Sequence, residues 1–372
     1  MIPIKVQKQY DELVRDMKEP NSIYVYAAIV LNSDNEWDIE FGYKPPRPGS
    51  SFEAFRTSEK NTRSEIEKFS PFFTDNGGNT TFSGDMPTTG EGELLSINNH
   101  IHRIPRKEII SPIKGGLSIG NYGKKYKSGT LGGLFTVKDN NKTYFLTCYH
   151  NLTDNIFYTN PPNPAKKYTL VHPSNKDYHD IYQTYNGGPI GNCTSDMAAF
   201  DGTIDAIIGE VSTKDISPGI HNFLSKIPRT HSVEYQNIGD SVRKQGRSSL
   251  LTGGKILSVQ SAIRIKNNNY SGNQNELPYQ VFTDQIMTGK MATGGDSGSS
   301  LFIYHGDQGK PAEWKIAGLT FAKIDFKKID IDILLNQNIL SNNLRGRTFH
   351  NKIDNILQSP NLFGNLNFKT FL

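Results

Sequence analysis

The chain has 372 residues, which at roughly 150 residues per domain predicts about two to three domains. Its 34 Gly and 19 Pro are ordinary for a turn-rich globular protein, and aromatic residues at 10% can build sizeable cores, so collagen, coiled-coil and wholly disordered chains are excluded. The 41 basic and 37 acidic residues nearly cancel, to a net charge of +4. This balance gives no reason to expect nucleic acid as the main partner.

Cysteine content and hydropathy indicate a cytoplasmic protein. Cys148 and Cys193 form at most one bridge, and two free thiols in a reducing compartment suit a chain of this length better. Residues 1–10 have no apolar core of signal-peptide length. The longest uninterrupted apolar run, residues 23–31, is too short to span a bilayer. We therefore expect a soluble protein with no membrane partner.

Residues 1–73 are predicted to form a small α+β module. Apolar side chains over residues 5–19 fall on one helical face. They are Val6, Tyr10, Leu13, Val14 and Met17. Residues 23–31 are typical of a buried strand, and residues 37–43 alternate well enough to be the returning strand of a hairpin. A second helix is predicted near residues 61–69.

Residues 74–107 are predicted to be a linker and lead-in, because residues 74–93 have turn composition throughout. From residue 108 onwards, short β-branched and aromatic runs alternate with Gly, Asn and Asp turns, which predicts an all-β sandwich or barrel pair over residues 108–330. The predicted strands are 116–119, 129–137, 142–147, 205–211, 241–246, 255–261, 279–287, 299–304 and 315–322. Residues 331–372 form a tail with a helix predicted near 351–357.

The segment Thr293-Gly-Gly-Asp-Ser-Gly-Ser-Ser-Leu301 presents a candidate nucleophile, Ser297. A serine hydroxyl needs a base to take its proton and donors aimed at the developing oxyanion. Flanking glycines let the backbone turn so that the N–H groups of Gly295 and Ser297 point into one small space. Loss of one such donor typically costs ~3–4 kcal/mol. The alternative is that the motif is only a turn.

Two further residues supply the rest of a proton-transfer chain. His150 ends an apolar run, 142–150, which suits a rigidly held base, although a lone histidine is more often structural. Asp205 opens the run Asp205–Val211, and its carboxylate could fix the tautomer of His150. Asp196 and Asp201 lie nearby and compete for this role.

Taken in the order His, Asp, Ser, these three contexts resemble the trypsin-like, chymotrypsin-fold serine peptidases. The similarity rests on Phe-Leu-Thr-Cys-Tyr-His at 145–150, Ile-Asp-Ala-Ile-Ile at 204–208 and Gly-Asp-Ser-Gly at 295–298. Residues 112–120 with 129–132, and residues 239–253, resemble a bacterial branch without secretory disulfides. The resemblance covers roughly residues 110–325.

The resemblance implies two six-stranded antiparallel β-barrels packed face to face, with the site in the seam. It implies Ser297 as nucleophile, His150 as general base and then acid, Asp205 as the residue that orients His150, and Gly295 as an oxyanion donor. No cofactor is implied. The chain departs from the family because it has no activation site followed by a free Ile-Val type N-terminus. We therefore do not expect Asp296 to pair with a new N-terminal amine. Cys148 and Tyr149 also replace the small residues that often precede the base.

Substrate recognition is expected at four residues, namely Met291, Ala292, Thr320 and Phe321. Met291 lies six residues before the nucleophile, a position that in this fold commonly forms the base of the primary pocket. Because it is not acidic, we expect a small or medium-sized apolar side chain in the pocket rather than Lys or Arg. Cys148 and His150 could also ligate a metal, but two ligands do not make a zinc site, so no metal is expected.

The sequence therefore predicts a serine endopeptidase that acts on a protein or peptide, of a regulatory or defence type. No zymogen device is visible, so the N-terminal module is a candidate for binding a regulatory partner. A different class remains open, namely a double-barrel binding module that has lost catalysis.

Overall fold

A computed structural model describes most of the chain. The described residues are 2–22, 24–31, 35–43, 81–82, 109–138, 141–153, 165–182, 184–227, 229–267, 272, 277–306, 311–325, 346–363 and 368–372. The predicted helix at 61–69 lies outside these ranges. So do the residues at the predicted domain boundaries near 73, 107 and 330, and this division stays a prediction.

The fold is mainly β, as predicted, with three α-helices among the described residues. The helices are α1 (Ile4–Met17), α2 (Asn175–Tyr182) and α3 (Ile353–Gln358). The strands are β1 (Tyr24–Leu31), β2 (Trp37–Tyr43), β3 (Thr81–Phe82), β4 (Ile113–Gly115), β5 (Ser118–Asn121), β6 (Gly129–Thr130), β7 (Gly133–Val137), β8 (Thr143–Thr147), β9 (Lys167–His172), β10 (Gly188–Thr194), β11 (Ala198–Phe200), β12 (Asp205–Val211), β13 (Ile216–Ile220), β14 (Ser241–Gly246), β15 (Leu250–Lys266), β16 (Tyr279–Gly289), β17 (Ser300–His305), β18 (Glu313–Asp325), β19 (Gly346–Lys352) and β20 (Phe368–Phe371).

The described residues form two large sheets. We call the one that carries the predicted base the first sheet and the one that carries the predicted nucleophile loop the second sheet. Its strands follow the order β14-β17-β18-β19-β16-β15, and β14 also pairs with β15, so these six strands form a closed ring. The hairpin β1–β2 extends the same sheet because β1 pairs antiparallel with β15, with Ala27 opposite Ala262. Within the predicted linker, β3 pairs with β18.

Helix α1 covers the hairpin with its apolar face. Its buried side chains, Val6, Tyr10, Leu13 and Met17, are four of the five predicted from the helical spacing. They pack with β1, β2 and parts of β15 and β16 in a cluster that includes Phe41. The helix ends before Pro20, because proline cannot continue the hydrogen-bond ladder.

The first sheet carries the predicted base and its carboxylate. Its strands follow the order β20-β7-β8-β12-β10-β9-β5-β6, with β11 also paired to β12. In the described residues this path has eight strands and not six, so the exact pair of six-stranded barrels stays a prediction. The ends of β12 and β14 match the sequence prediction, whereas the predicted strand at 129–137 is broken into β6 and β7.

The two sheets meet across an aromatic and polar seam. Phe282 of the second sheet packs against Phe200 of the first, with ring centroids 5.1 Å apart. Hydrogen bonds also cross the seam, from Ser300 Oγ to the Gly132 carbonyl (2.8 Å) and from Gln285 Nε2 to the Thr203 carbonyl (2.8 Å). The seam thereby fixes the first sheet against the loop that follows β16.

In the portion of the chain that the structure describes, no helix has both the length and the apolar character needed to cross a membrane.

Candidate active site

The loop between β16 and β17 holds Ser297 in a glycine-dependent turn. Gly295 and Gly298 have φ values of +94° and +90°, a region that L side chains rarely adopt. A Cβ on Gly295 would lie 2.3 Å from Arg247 Nη1, and one on Gly298 would lie 2.3 Å from the Thr130 carbonyl oxygen. The backbone conformation therefore favours glycine at both positions, and at Gly298 the backbone oxygen of Thr130 also leaves no space for a Cβ. Ser297 itself is buried.

Asp296, next to Ser297, is enclosed by hydrogen-bond donors. Its Oδ1 accepts from the N–H groups of Ser248 (2.8 Å) and Ser249 (3.0 Å), and its Oδ2 accepts from Thr293 N–H (2.9 Å). Lys244 Nζ, on β14, also donates to Oδ2 at 2.9 Å, and both side chains of this ion pair are fully buried. Lys244 is thus the cation that pairs with Asp296 in this structure.

The charge of Asp296 is maintained by these donors. Burial alone would raise the pKa of Asp296, but the Lys244 ammonium and the hydrogen bonds outweigh it and lower this pKa below its ordinary value. For Lys244, burial lowers the pKa and the Asp296 carboxylate opposes that change. The result is a buried ion pair that fixes the residue before Ser297 to β14 and to the turn that follows it.

His150 and Asp205 lie together at adjacent strand ends of the first sheet. His150 occupies a short 3-10 turn, Tyr149–Asn151, directly after β8, and Asp205 is the first residue of β12, which pairs with β8. His150 Nδ1 is hydrogen-bonded to Asp205 Oδ2, and His150 N–H donates to Asp205 Oδ1 at 3.2 Å. Both side chains are buried. The structure therefore brings His150 and Asp205 into direct contact.

Asp205 is held from the second sheet by a residue that the sequence interpretation missed. Its backbone N–H donates to Asn351 Oδ1, on β19, at 3.0 Å. Asn351 Nδ2 in turn donates to Gln285 Oε1, on β16, at 2.8 Å. Asn351 lies in the predicted tail, where its sequence context gives no indication of this role.

The Ser297 loop is bonded to the turn that carries His150. Asn151 Nδ2 donates to the Ser297 carbonyl at 2.8 Å, and Thr130 N–H donates to the same carbonyl at 2.7 Å. Thr130 Oγ1 also donates to the Gly295 carbonyl at 2.9 Å. The residue after His150 thus contacts the predicted nucleophile residue directly.

The four predicted substrate-binding residues are all buried. Met291 packs in the apolar cluster inside the second sheet, and Phe321 packs against Phe282 with ring centroids 5.0 Å apart. The N–H groups of Met291 and Ala292 both donate to Thr348 Oγ1, at 2.9 and 3.2 Å. The carbonyl of Thr320 accepts from Gly298 N–H at 2.8 Å.

A second histidine, His350 on β19, lies beside Thr320. Its Nδ1 is 2.9 Å from Thr320 Oγ1 and its Nε2 is 3.1 Å from Thr288 Oγ1. Burial, aided by the charge of Lys244, lowers the pKa of His350 to about 3, so the ring is neutral at neutral pH. The sequence interpretation missed this residue because it too lies in the predicted tail.

Among the residues that the structure describes, Cys148, His150 and Asp205 lie close enough together to ligate a metal ion. One ligand atom from each lies within 4.8 Å of the others, and all three residues are buried. However, burial and the Asp205 charge raise the pKa of Cys148 well above its ordinary value, and its thiol donates to the Thr320 carbonyl at 3.2 Å. Metal ligation needs the thiolate, so this environment favours a protonated cysteine.

Comparison with known proteins gives similarity to solved structures only. No protein-family model and no curated protein matches the chain. It is similar to a glutamic acid specific serine protease described as using a histidine triad in substrate binding, at 16% identity over 69% of this chain and 100% of that chain, with a TM-score of 0.41. It is also similar to a Nocardiopsis protease, at 15% identity over 69% of this chain and 99% of that chain, with a TM-score of 0.38. The similarity to Cellulomonas bogoriensis chymotrypsin has 17% identity over 69% of this chain and 98% of that chain, with a TM-score of 0.38. These identities are too low to transfer the role of any residue.

Proposed function

We propose that this chain is a serine endopeptidase in which Ser297, His150 and Asp205 act as a catalytic triad. The observation that carries the proposal is the buried hydrogen bond between His150 and Asp205, on a turn whose next residue, Asn151, is bonded to the Ser297 carbonyl. A histidine with one ring nitrogen held by a carboxylate is fixed in a single tautomer, as a general base requires.

In the proposed mechanism, Ser297 Oγ attacks the carbonyl carbon of the scissile peptide bond while His150 takes the hydroxyl proton. Asp205 stabilises the imidazolium that forms. The N–H groups of Gly295 and Ser297 bind the oxyanion of the tetrahedral intermediate. His150 then gives the proton to the leaving amine, and water hydrolyses the acyl-enzyme by the same steps.

The proposal includes a location and a substrate class. Two buried free cysteines, Cys148 and Cys193, support a reducing compartment such as the cytoplasm. A protein or peptide is the proposed substrate, with a small or medium-sized apolar side chain before the scissile bond. Apolar Met291, Ala292 and Phe321 and neutral His350 support this preference, because they offer no charge to a Lys or Arg side chain.

A fluorophosphonate probe tests the proposal, because it phosphonylates only an activated serine. We expect the wild type to be labelled and Ser297→Ala to lose all labelling, with peptide hydrolysis lost in parallel. His150→Gln should reduce the labelling rate by at least about a thousand-fold, as expected for loss of a triad member. A folded wild type that the probe does not label would instead indicate a binding module.

A further inference from the structure

The segment between β5 and β6, residues 122–128, presents a basic and aromatic surface beside the candidate active site. Tyr122 and Tyr126 are 53% and 69% exposed, so both rings are accessible to a ligand. Lys125 is also exposed, and Lys124 is half-buried. We call these four residues the lysine–tyrosine surface. The segment contains three lysines and no acidic residue.

Neighbouring aromatic rings support this surface. Tyr126 packs edge-on against Tyr185, with centroids 5.9 Å apart, and Lys125 Nζ lies 5.1 Å from the centroid of the Tyr185 ring. Tyr185 is stacked in turn on His179 of α2, at 4.3 Å. Lys125 therefore presents its charge from an ordered aromatic support, so little side-chain freedom is lost when an anion binds.

The backbone beneath the surface is fixed at several points. Asn121 Nδ2 donates to the Leu152 carbonyl at 2.6 Å, and Asn175 Nδ2, on α2, donates to the Tyr122 carbonyl at 2.6 Å. Tyr122 N–H donates to the Thr169 carbonyl of β9 at 2.9 Å. The segment is thus held at three places, by the residue after the His150 turn, by α2 and by β9.

The surface is continuous with the candidate active site. Lys127 Nζ donates to the carbonyls of His150, at 3.4 Å, and Thr153. Three residues later, Thr130 N–H is bonded to the Ser297 carbonyl. The lysine–tyrosine surface is therefore joined to the Ser297 loop by a short stretch of chain that contains Lys127 and Thr130.

We propose that the lysine–tyrosine surface binds an acidic segment of the protein substrate, downstream of the scissile bond. The residues expected to form the primary pocket lie on β18 and in the loop after β16, whereas the lysine–tyrosine surface follows β5 of the first sheet. We assign this separate surface to the substrate residues that follow the scissile bond. Positive charge on a preorganised surface complements Asp and Glu side chains, and the neighbouring tyrosines supply apolar contact. This inference deepens the proposed function and rests on it.

Matched peptides test the cleavage preference. They share one sequence up to the scissile bond and continue with Glu-Asp-Glu or with Gln-Asn-Gln. We expect kcat/KM to be higher for the acidic peptide by about three- to ten-fold, as for two exposed ion pairs. The double variant Lys124→Gln/Lys125→Gln should lose this preference and cleave the neutral peptide at the wild-type rate. The control Lys8→Gln/Lys266→Gln changes charge equally on distant exposed lysines and should keep the preference.

A binding experiment separates this inference from the proposed function. Fluorescence anisotropy of the labelled acidic peptide with the Ser297→Ala protein requires no catalysis. Binding should weaken at high salt and in the Lys124/Lys125 double variant. Equal binding by that variant, or equal cleavage of both peptides by the wild type, would overturn the proposal. So would binding of single-stranded DNA, but not of the acidic peptide, at the same lysines. If the fluorophosphonate probe fails while this binding persists, the surface still binds an acidic segment, but that segment is not a substrate and the proposed function is lost.

Discussion

The imidazole of His350 lies fully buried between the hydroxyls of Thr288 and Thr320. One hydroxyl can donate to the ring nitrogen that carries no proton, and the other can accept from the ring N–H. Both nitrogens of the neutral ring are therefore hydrogen-bonded without a carboxylate. The nearby Lys244 ammonium also disfavours a proton on the ring. His350 is therefore suited to shape the seam as a neutral polar group, whereas His150 faces the carboxylate of Asp205.

Protonation of His350 links stability to pH. Its pKa is about 3 in the folded protein and 6.5 in the reference state, so between these values the unfolded chain binds a proton that the folded protein does not. The free energy of unfolding should therefore fall as the pH drops below 6.5, by about 2 kcal/mol between pH 7 and pH 5 from this residue.

Guanidinium denaturation of the wild type and His350→Gln at both pH values measures this contribution. The variant should lose about 2 kcal/mol less than the wild type on acidification. His172, whose pKa burial also lowers, is present in both proteins, so the difference isolates His350. Identical pH dependence of the two proteins would show that His350 is already protonated, or is exposed, in the folded state.

At the scale of elements, the nucleophile loop depends on strand β14. Lys244 extends from this strand to Asp296, and Arg247, just beyond it, is hydrogen-bonded to Asp177 of α2. Lys244 lies in a stretch that the sequence correctly predicted as a strand, but the alternation pattern could not show that its side chain points inward. Its partner lies 52 positions away, beyond the reach of local periodicity.

Removal of the buried ammonium tests this dependence. Lys244→Met leaves the Asp296 carboxylate buried without its counter-charge, so the free energy of unfolding should fall by about 3–5 kcal/mol. Fluorophosphonate labelling of Ser297 should slow in the folded fraction, because the loop loses its anchor. Chemical denaturation and labelling kinetics give the two readouts.

The exposed ion pair Lys142–Glu210 provides the control. Lys142→Met removes the same charge from a half-exposed pair and should leave stability and labelling nearly unchanged. If Lys244→Met labels at the wild-type rate with wild-type stability, the backbone donors alone hold Asp296.

At the scale of the whole molecule, the hairpin β1–β2 is part of the second sheet. Glu40, on β2, accepts hydrogen bonds from Arg347 Nε (2.6 Å) and Nη2 (3.0 Å), and Tyr26 Oη donates to it at 2.9 Å. Arg347 precedes Thr348, whose hydroxyl accepts from Met291 and Ala292. The N-terminal region thus supports, through one buried ion pair, the strand that holds the expected pocket.

Glu40→Gln tests this support without deleting the hairpin. It leaves Arg347 buried with a neutral partner, so the free energy of unfolding should fall by about 3 kcal/mol. In the proposed enzyme, kcat/KM should fall more for substrates with a larger side chain before the scissile bond, since the pocket backbone loosens. The double variant Glu40→Gln/Arg347→Met removes both charges and should recover stability. No recovery would indicate that the hairpin is held by strand pairing instead.

The sequence predicts an element of this molecule when the side chains of that element interact with residues close by in the chain. It fails when their interaction partners are distant in the chain. Helix α1 and strands β12 and β14 follow from short-range periodicity. Strand β19 was missed because Arg347, His350 and Asn351 look like surface residues, although each is buried by a distant partner. The contexts of His150, Asp205 and Ser297 were recognisable as motifs, whereas Asn351 carries no motif of its own.

The strand order also determines when each half of the molecule can fold as the chain is synthesised. Hairpin β1–β2 is made first but pairs with β15, more than two hundred residues later, and β20 returns to pair with β7 of the first sheet. The two halves are interleaved along the chain, so neither is contained in one continuous stretch. A ribosome-bound chain still lacking residues 368–371 therefore has an incomplete first sheet, and so an unfinished support for His150.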